Sequence, residues 1–203
     1  MLQKYAELAV RVGVNIQPGQ TLYINAPLPS APLVREIAKK AYEAGAKHVH
    51  VEWSDEEITY IKFKHAPEEA LHEYPSWLAK GREEVAEKGG AFLSIYAPNP
   101  DLLKDIDPAR VAAATKAASL ALQHYRSRLM ADHNCWSLIA VPTPAWAKKV
   151  FPHMSEEEGI KALWEVIFRV TRVDQEDPIA AWKAHNEKLA RIVDYLNNKQ
   201  YKQ

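Results

Sequence analysis

The sequence predicts an α/β protein: an open, mostly parallel sheet of about four strands with helices on both faces, followed by a C-terminal helical layer. Three observations carry this. Four short β-rich runs, at 21–26, 48–53, 91–96 and 136–141, alternate with helical patterns. Ten or more residues separate successive runs, the length that a crossover between parallel strands requires. Past Val141 the strand signal stops and only helical patterns remain.

In chain order, Leu2, Tyr5, Ala6, Ala9, Val10 and Val12 recur near helical spacing and Gly13 offers a stop, which predicts a first helix over 2–12. The turn sequence Gln17-Pro18-Gly19-Gln20 leads into Thr21–Ala26, a short run suited to a buried strand. Ser30 is placed to cap a helix carrying Leu33, Val34, Ile37, Ala38 and Ala41 and ending near Gly45. From His48 to Trp53 the residues alternate, with His48, His50 and Glu52 on one face and Val49, Val51 and Trp53 on the other, so this strand has one wet face and belongs toward a sheet edge. Ser54-Asp-Glu-Glu57 reads as a capping box opening a helix to about Lys64, and a further helical stretch runs from Ser76 to Lys88 before Gly89-Gly90. Ala91–Tyr96 is the third strand, Asp107-Pro108 opens an alanine-rich helix expected to reach about Met130, and Trp136–Val141 is the fourth strand.

The block from Val141 to His185 is heavily punctuated. Thr143-Pro144 and Asp177-Pro178 each set a capping side chain before a proline at the first helical position, and Ser155-Glu-Glu-Glu158 is a second capping box. Ile160, Leu163, Trp164, Ile167 and Phe168 form one helix stripe; Ile179, Trp182, Leu189, Ile192, Val193 and Leu196 form another. These two helices are expected to pack on the sheet or on each other. A single domain over 1–196 is expected, with 197–203 as a flexible tail or the start of an interdomain linker.

Composition narrows the function classes. With 203 residues, 47% of them hydrophobic, the chain can bury a real core. Lysine plus arginine equals aspartate plus glutamate at 26 each, so no net field steers it to nucleic acid or to an anionic membrane. The lone Cys135, beside Trp136, fits an inert buried thiol in a reducing cytoplasm. The N-terminus lacks the apolar core of a signal peptide, and no apolar run approaches a membrane span.

Chemical signals are sparse. His48-x-His50-x-Glu52 presents two imidazoles and a carboxylate on one side of a strand, the donor types a divalent ion takes, although such alternation is ordinary on a solvated strand face. His185, three residues after Trp182, is a ligand, a base or a helix-surface histidine by the same reasoning. HExxH, GxSxG, GxGxxG and a Walker loop are absent from the sequence. The open-sheet rule places any ligand crevice at the carboxyl ends of the strands, near Asn25, Trp53, Tyr96, Asn99 and Thr143. Tryptophans at helical spacing pack a core or meet another domain.

Several segments taken together are more specific. Tyr5-Ala-Glu-Leu-Ala-Val10, Gly13-Val-Asn, Gln17-Pro-Gly-Gln20, Ala41-Tyr with Gly45-Ala46, Val51-Glu-Trp53-Ser-Asp55, Pro142-Thr-Pro-Ala-Trp-Ala147, Val150-Phe-Pro152, Leu163-Trp164, and Asp177-Pro178 with Trp182 and His185 resemble the amino-terminal part of the thermophilic metalloaminopeptidases of the aminopeptidase S, aminopeptidase T and PepS type. The resemblance spans nearly the whole chain in order. It implies a longer, homodimeric enzyme that removes N-terminal amino acids from peptides. Two divalent ions, zinc, cobalt or manganese, are held there by glutamates, histidines and an aspartate of a carboxyl-terminal domain. The family's Pro-Thr-Glu-Glu stretch has no counterpart here, so no catalytic residue and no metal ligand is carried onto a numbered position. The implied reading is a non-catalytic amino-terminal domain, inactive and without a cofactor by itself, whose partner is the missing catalytic domain and whose docking surface includes Trp146, Trp164, Trp182 and His185. The alternatives are a free-standing α/β small-molecule-binding or assembly module and, last, an independent enzyme built on the strand histidines.

Overall fold

The structure, a computed structural model, describes residues 1–201. Helix α1 (Leu2–Leu8) runs directly into a π-helical stretch, Ala9–Gly13, where the Val14 amide donates to Ala9 O at 2.9 Å. Then follow β1 (Thr21–Pro27), a 3-10 turn (Leu28–Ser30), α2 (Ala31–Glu43), β2 (His48–Ser54), α3 (Glu56–His65), α4 (Glu68–Leu71), α5 (Ser76–Glu87) and β3 (Ala91–Tyr96). The second half holds α6 (Pro108–Ala121), α7 (Gln123–Met130), β4 (Trp136–Ala140), α8 (Pro144–Val150), α9 (Glu156–Val170) and α10 (Pro178–Lys199).

The four strands form one all-parallel sheet in the order β2-β1-β3-β4. The chain steps from β1 outward to β2 and then returns to β3 on the other side, so β1 and β3 flank the point where the winding reverses. Registered neighbours share a face, because side chains alternate along each strand. One face carries the rows His50–Tyr23–Phe92–Trp136 and Glu52–Asn25–Ser94–Leu138. The other face, with Leu22, Ile24 and Leu93 fully buried, joins residues of α1, α2, α8 and α9 in the main core. Burying each such aliphatic side chain is worth about 1.5–3 kcal/mol. On the first face a smaller core packs Tyr23 and Phe92 against Ala79 and Ala86 of α5 and Tyr125 and Leu129 of α7.

β2 lies at one edge of the sheet, as its wet face suggested, and β4 at the other. At β4 the Tyr5 hydroxyl replaces a strand partner: it accepts from the Ala140 amide and donates to the Ala140 carbonyl, both at 3.1 Å, which blunts the edge against further pairing. Gly13 permits the π-helical stretch to lie against β4, since a Cβ there would sit 3.0 Å from Ser137 Oγ.

The expected caps at Asp107, Thr143, Ser155 with Glu158, and Asp177 all form. Other expectations are corrected. Ser54 does not cap α3, because it still pairs with Pro27 in the sheet; Asp55 caps instead, accepting from the Ile58 amide at 3.0 Å. Ser30 stands before α2, but its hydroxyl donates to Pro27 O (2.6 Å) within the 3-10 turn and makes no cap. The long alanine-rich helix breaks at Leu122 (φ −99°, ψ 12°): every residue of α6 is at least partly exposed, whereas Leu122, Tyr125 and Leu129 must reach the sheet, and the break redirects the chain toward it. Cys135 is exposed rather than buried. Helix α10 runs through Lys199, and all residues from Asn186 to Gln200 are exposed, so its second half does not pack on the sheet or on α9. Of the expected tail, 202–203 lie outside the described residues. Among the described residues no helix is long and apolar enough to cross a membrane.

Candidate functional site

The carboxyl ends of β1 and β2 carry a polar cluster on the face that α5 covers. Glu52 and Asn25 are register partners, and α5 delivers Arg82 across them. The guanidinium grips the carboxylate twice: Nη2 lies 2.8 Å from both Glu52 oxygens and Nε 3.2 Å from Oε2, while Nη2 also reaches Asn25 Oδ1 at 3.3 Å. The Tyr23 hydroxyl donates to the same carboxylate. The pair is only partly wet, with 14% of the Arg82 side chain and 27% of the Glu52 side chain exposed.

These contacts fix the charges. Burial pushes the Tyr23 phenol up to about 12, and its hydrogen bond to anionic Glu52 pushes the same way. For Arg82 burial opposes the charged form, but the hydrogen bonds and charge of Glu52 outweigh it and the net shift is upward. Tyr5 and Tyr125 are also pushed up to about 12 by burial, for Tyr5 against the opposing hydrogen bond to Ala140. A phenol whose folded pKa exceeds its unfolded value contributes stability below the unfolded pKa and loses it as pH rises through the folded one. The melting temperature is therefore expected to hold from pH 7 to about 9.5 and to fall between about 10 and 12. Spectrophotometric titration at 295 nm should show part of the nine tyrosines ionising late, in that same window. A single ordinary titration with no loss of melting temperature would contradict the burial of these phenols.

The cluster also decides the strand histidine motif. Glu52 is committed to Arg82 and Tyr23, the His50 ring lies against Tyr23 at 4.9 Å between centroids, and His48 is exposed at the start of β2. Among the described residues no three His, Cys, Asp or Glu side chains are grouped to hold an ion. A carboxylate already neutralised by a bidentate guanidinium is a poor ligand, so the trio His48, His50 and Glu52 does not fit a metal centre.

The residues assigned to the crevice divide. Asn25 joins the Arg82 cluster. Trp53, one position past Glu52, points to the opposite face and is 43% exposed. Tyr96 ends β3, 52% exposed, with its ring 6.1 Å from that of Trp146. Asn99 turns back on its own loop, its Oδ1 accepting from the Asp101 amide at 3.2 Å. Thr143 is buried and used structurally, donating to Pro98 O at 2.5 Å and accepting from the Trp146 amide at 3.1 Å.

The residues assigned to docking are half-buried. Trp146, Trp164 and Trp182 pack against the main core; Trp164 stacks on Phe168 at 5.0 Å and meets Tyr5 edge-on, and Trp182 Nε1 donates to Thr171 O at 2.7 Å. His185 meets Arg172 at 3.0 Å and the Trp182 ring edge-on. Sequence reasoning missed Arg82 and Tyr23. The available signal for Arg82 was its place between Ala79 and Ala86 on the apolar stripe of α5, where a charge requires a partner.

The model of a family described as thermophilic metalloprotease (M29) matches residues 1–203. Aminopeptidase 2 of Geobacillus stearothermophilus is 71% identical over 202 residues, covering 100% of this chain and 49% of its own length. Aminopeptidase T of Thermus thermophilus is 40% identical over 200 residues, covering 98% and 49%. The solved structure of wild-type AmpT from Thermus thermophilus superposes with a TM-score of 0.91 at 37% identity, again over 98% of this chain and 49% of that one. The chain thus spans about half the length of the curated relatives it matches.

Proposed function

The chain belongs to the thermophilic metalloprotease (M29) family, and from that premise we propose that it is the amino-terminal, non-catalytic domain of a metal-dependent aminopeptidase that releases N-terminal amino acids from peptides. The observation that carries the reading is Glu52: the strand trio His48, His50 and Glu52 has its one carboxylate closed off by Arg82 and Tyr23. The two divalent ions of the parent, zinc, cobalt or manganese, belong to the other half of the enzyme. This half supports that domain, walls the peptide cleft through the strand ends around Asn25, Trp53, Tyr96, Asn99 and Thr143, and takes part in a cytoplasmic homodimer. Trp146, Trp164, Trp182 and His185 hold the helical layer that faces the catalytic domain. The exposed apolar stripe on α10 favours this reading over a free-standing small-molecule module, which has no need of bare apolar surface.

Calorimetric titration of the chain with zinc, cobalt and manganese at neutral pH tests it. The expected result is no saturable site tighter than millimolar, and a melting temperature that a chelator leaves unchanged. One or two ions bound per chain at micromolar affinity, lost in Glu52→Gln, would overturn the reading.

A further inference from the structure

The fold splits the last helical stripe in two. At its start α10 is anchored: Pro178 is buried, Trp182 donates to Thr171 O, and the Arg172 guanidinium lies over the indole at 5.8 Å and reaches His185 Nδ1 at 3.0 Å. Beyond His185 the same face runs on uncovered. Leu189, Ile192, Val193 and Leu196 follow Trp182 at intervals of i+7, i+10, i+11 and i+14, which keeps them in line on a helix, and they are 45%, 44%, 52% and 49% exposed. The overhang from Asn186 to Lys199 is about 20 Å long at 1.5 Å per residue. Where it leaves the body, a groove of about 390 Å³ separates it from the edge strand β4; Val12, Ser137, Leu138, Val170, Trp182 and Asn186 line it. A helical overhang of this length with no tertiary cover is marginal in water.

We propose that the inner face of α10, together with the groove beside β4, is the seat of the half of the longer homologues that lies outside this chain's match. The inference rests on the reading given under Proposed function. The choice of occupant rests on AmpT. Its match covers 98% of this chain, leaving about 2% of 203 residues, or about four, uncovered, so most of the 22-residue α10 has a counterpart in a polypeptide about twice as long. A helix with counterparts there and an aliphatic face left uncovered here fits an apolar surface supplied by the rest of that polypeptide.

Hydrogen–deuterium exchange tests this on the 203-residue chain and on a full-length chimera that joins it to the remaining half of Geobacillus stearothermophilus Aminopeptidase 2; intact Aminopeptidase 2 serves in place of a chimera that does not fold. Amides 187–199 are expected to exchange within seconds in the chain alone and at least a hundredfold more slowly in the full-length protein. Leu189→Asp with Ile192→Asp is expected to leave the melting temperature of the chain alone unchanged and to abolish that protection in the chimera, whereas Ile58→Asp, on the exposed side of α3, leaves it intact. Equal, fast exchange in the chain and in a folded, active full-length protein overturns the assignment of this surface but leaves the parent reading standing. A folded chimera without aminopeptidase activity, while Aminopeptidase 2 is active, defeats the parent reading. Protection that appears in the chain alone as its concentration rises, with a doubled mass, assigns the face to a second copy and overturns the proposal.

Discussion

Replacing Arg82 by alanine is expected to destabilise the chain by about 2–4 kcal/mol, the range for stripping a partly buried carboxylate of its partner. Glu52 loses three close contacts from the guanidinium, Asn25 loses its donor, and one hydrogen bond, from Tyr23, remains. The cost comes from the stranded carboxylate rather than from the ion pair as such. Arg82→Ala combined with Glu52→Gln should therefore regain part of the loss, and Arg82→Lys should regain little, since an ammonium cannot span both oxygens as the planar guanidinium does. Urea unfolding followed by circular dichroism measures all three. A single variant within about 0.5 kcal/mol of the parent would mean that water already solvates Glu52 and that the cluster is a surface pair of the weak kind.

What could be read from the sequence was local. Thr143, Ser155 with Glu158, and Asp177 each cap the helix their spacing announced, because a cap depends on a side chain and an amide three residues away. Period-2 alternation placed His48, His50 and Glu52 on one face correctly, for the same reason. What those residues do was not legible, since the group that settles it, Arg82, is 30 residues further along and on another element. Ser54 and Asp55 compete as caps by composition alone, and the sheet decides between them by holding Ser54 in register with Pro27. The break at Leu122 likewise answers to the position of Phe92, which no helix propensity contains. The stripe of α10 was visible, yet a stripe records that something apolar is to be met and not whether it belongs to the same domain.

Enzymes of this class must lower a barrier by the equivalent of at least a millionfold in rate, and a metal site delivers that only with several ligands set in place. In this chain Glu52 would first have to leave Arg82 and Tyr23, and His48 and His50 would still lack a second carboxylate grouped with them among the described residues. On the reading proposed above, the effect of lacking the other half is therefore all or none. The most direct measurement is release of p-nitroaniline from aminoacyl p-nitroanilides by the purified 203-residue chain with added zinc, cobalt or manganese, beside Aminopeptidase 2 of Geobacillus stearothermophilus in the same buffer. No turnover by the chain above the metal blank is expected; chelator-sensitive turnover by the chain alone at a rate comparable to Aminopeptidase 2 would mean that it carries a complete site of its own.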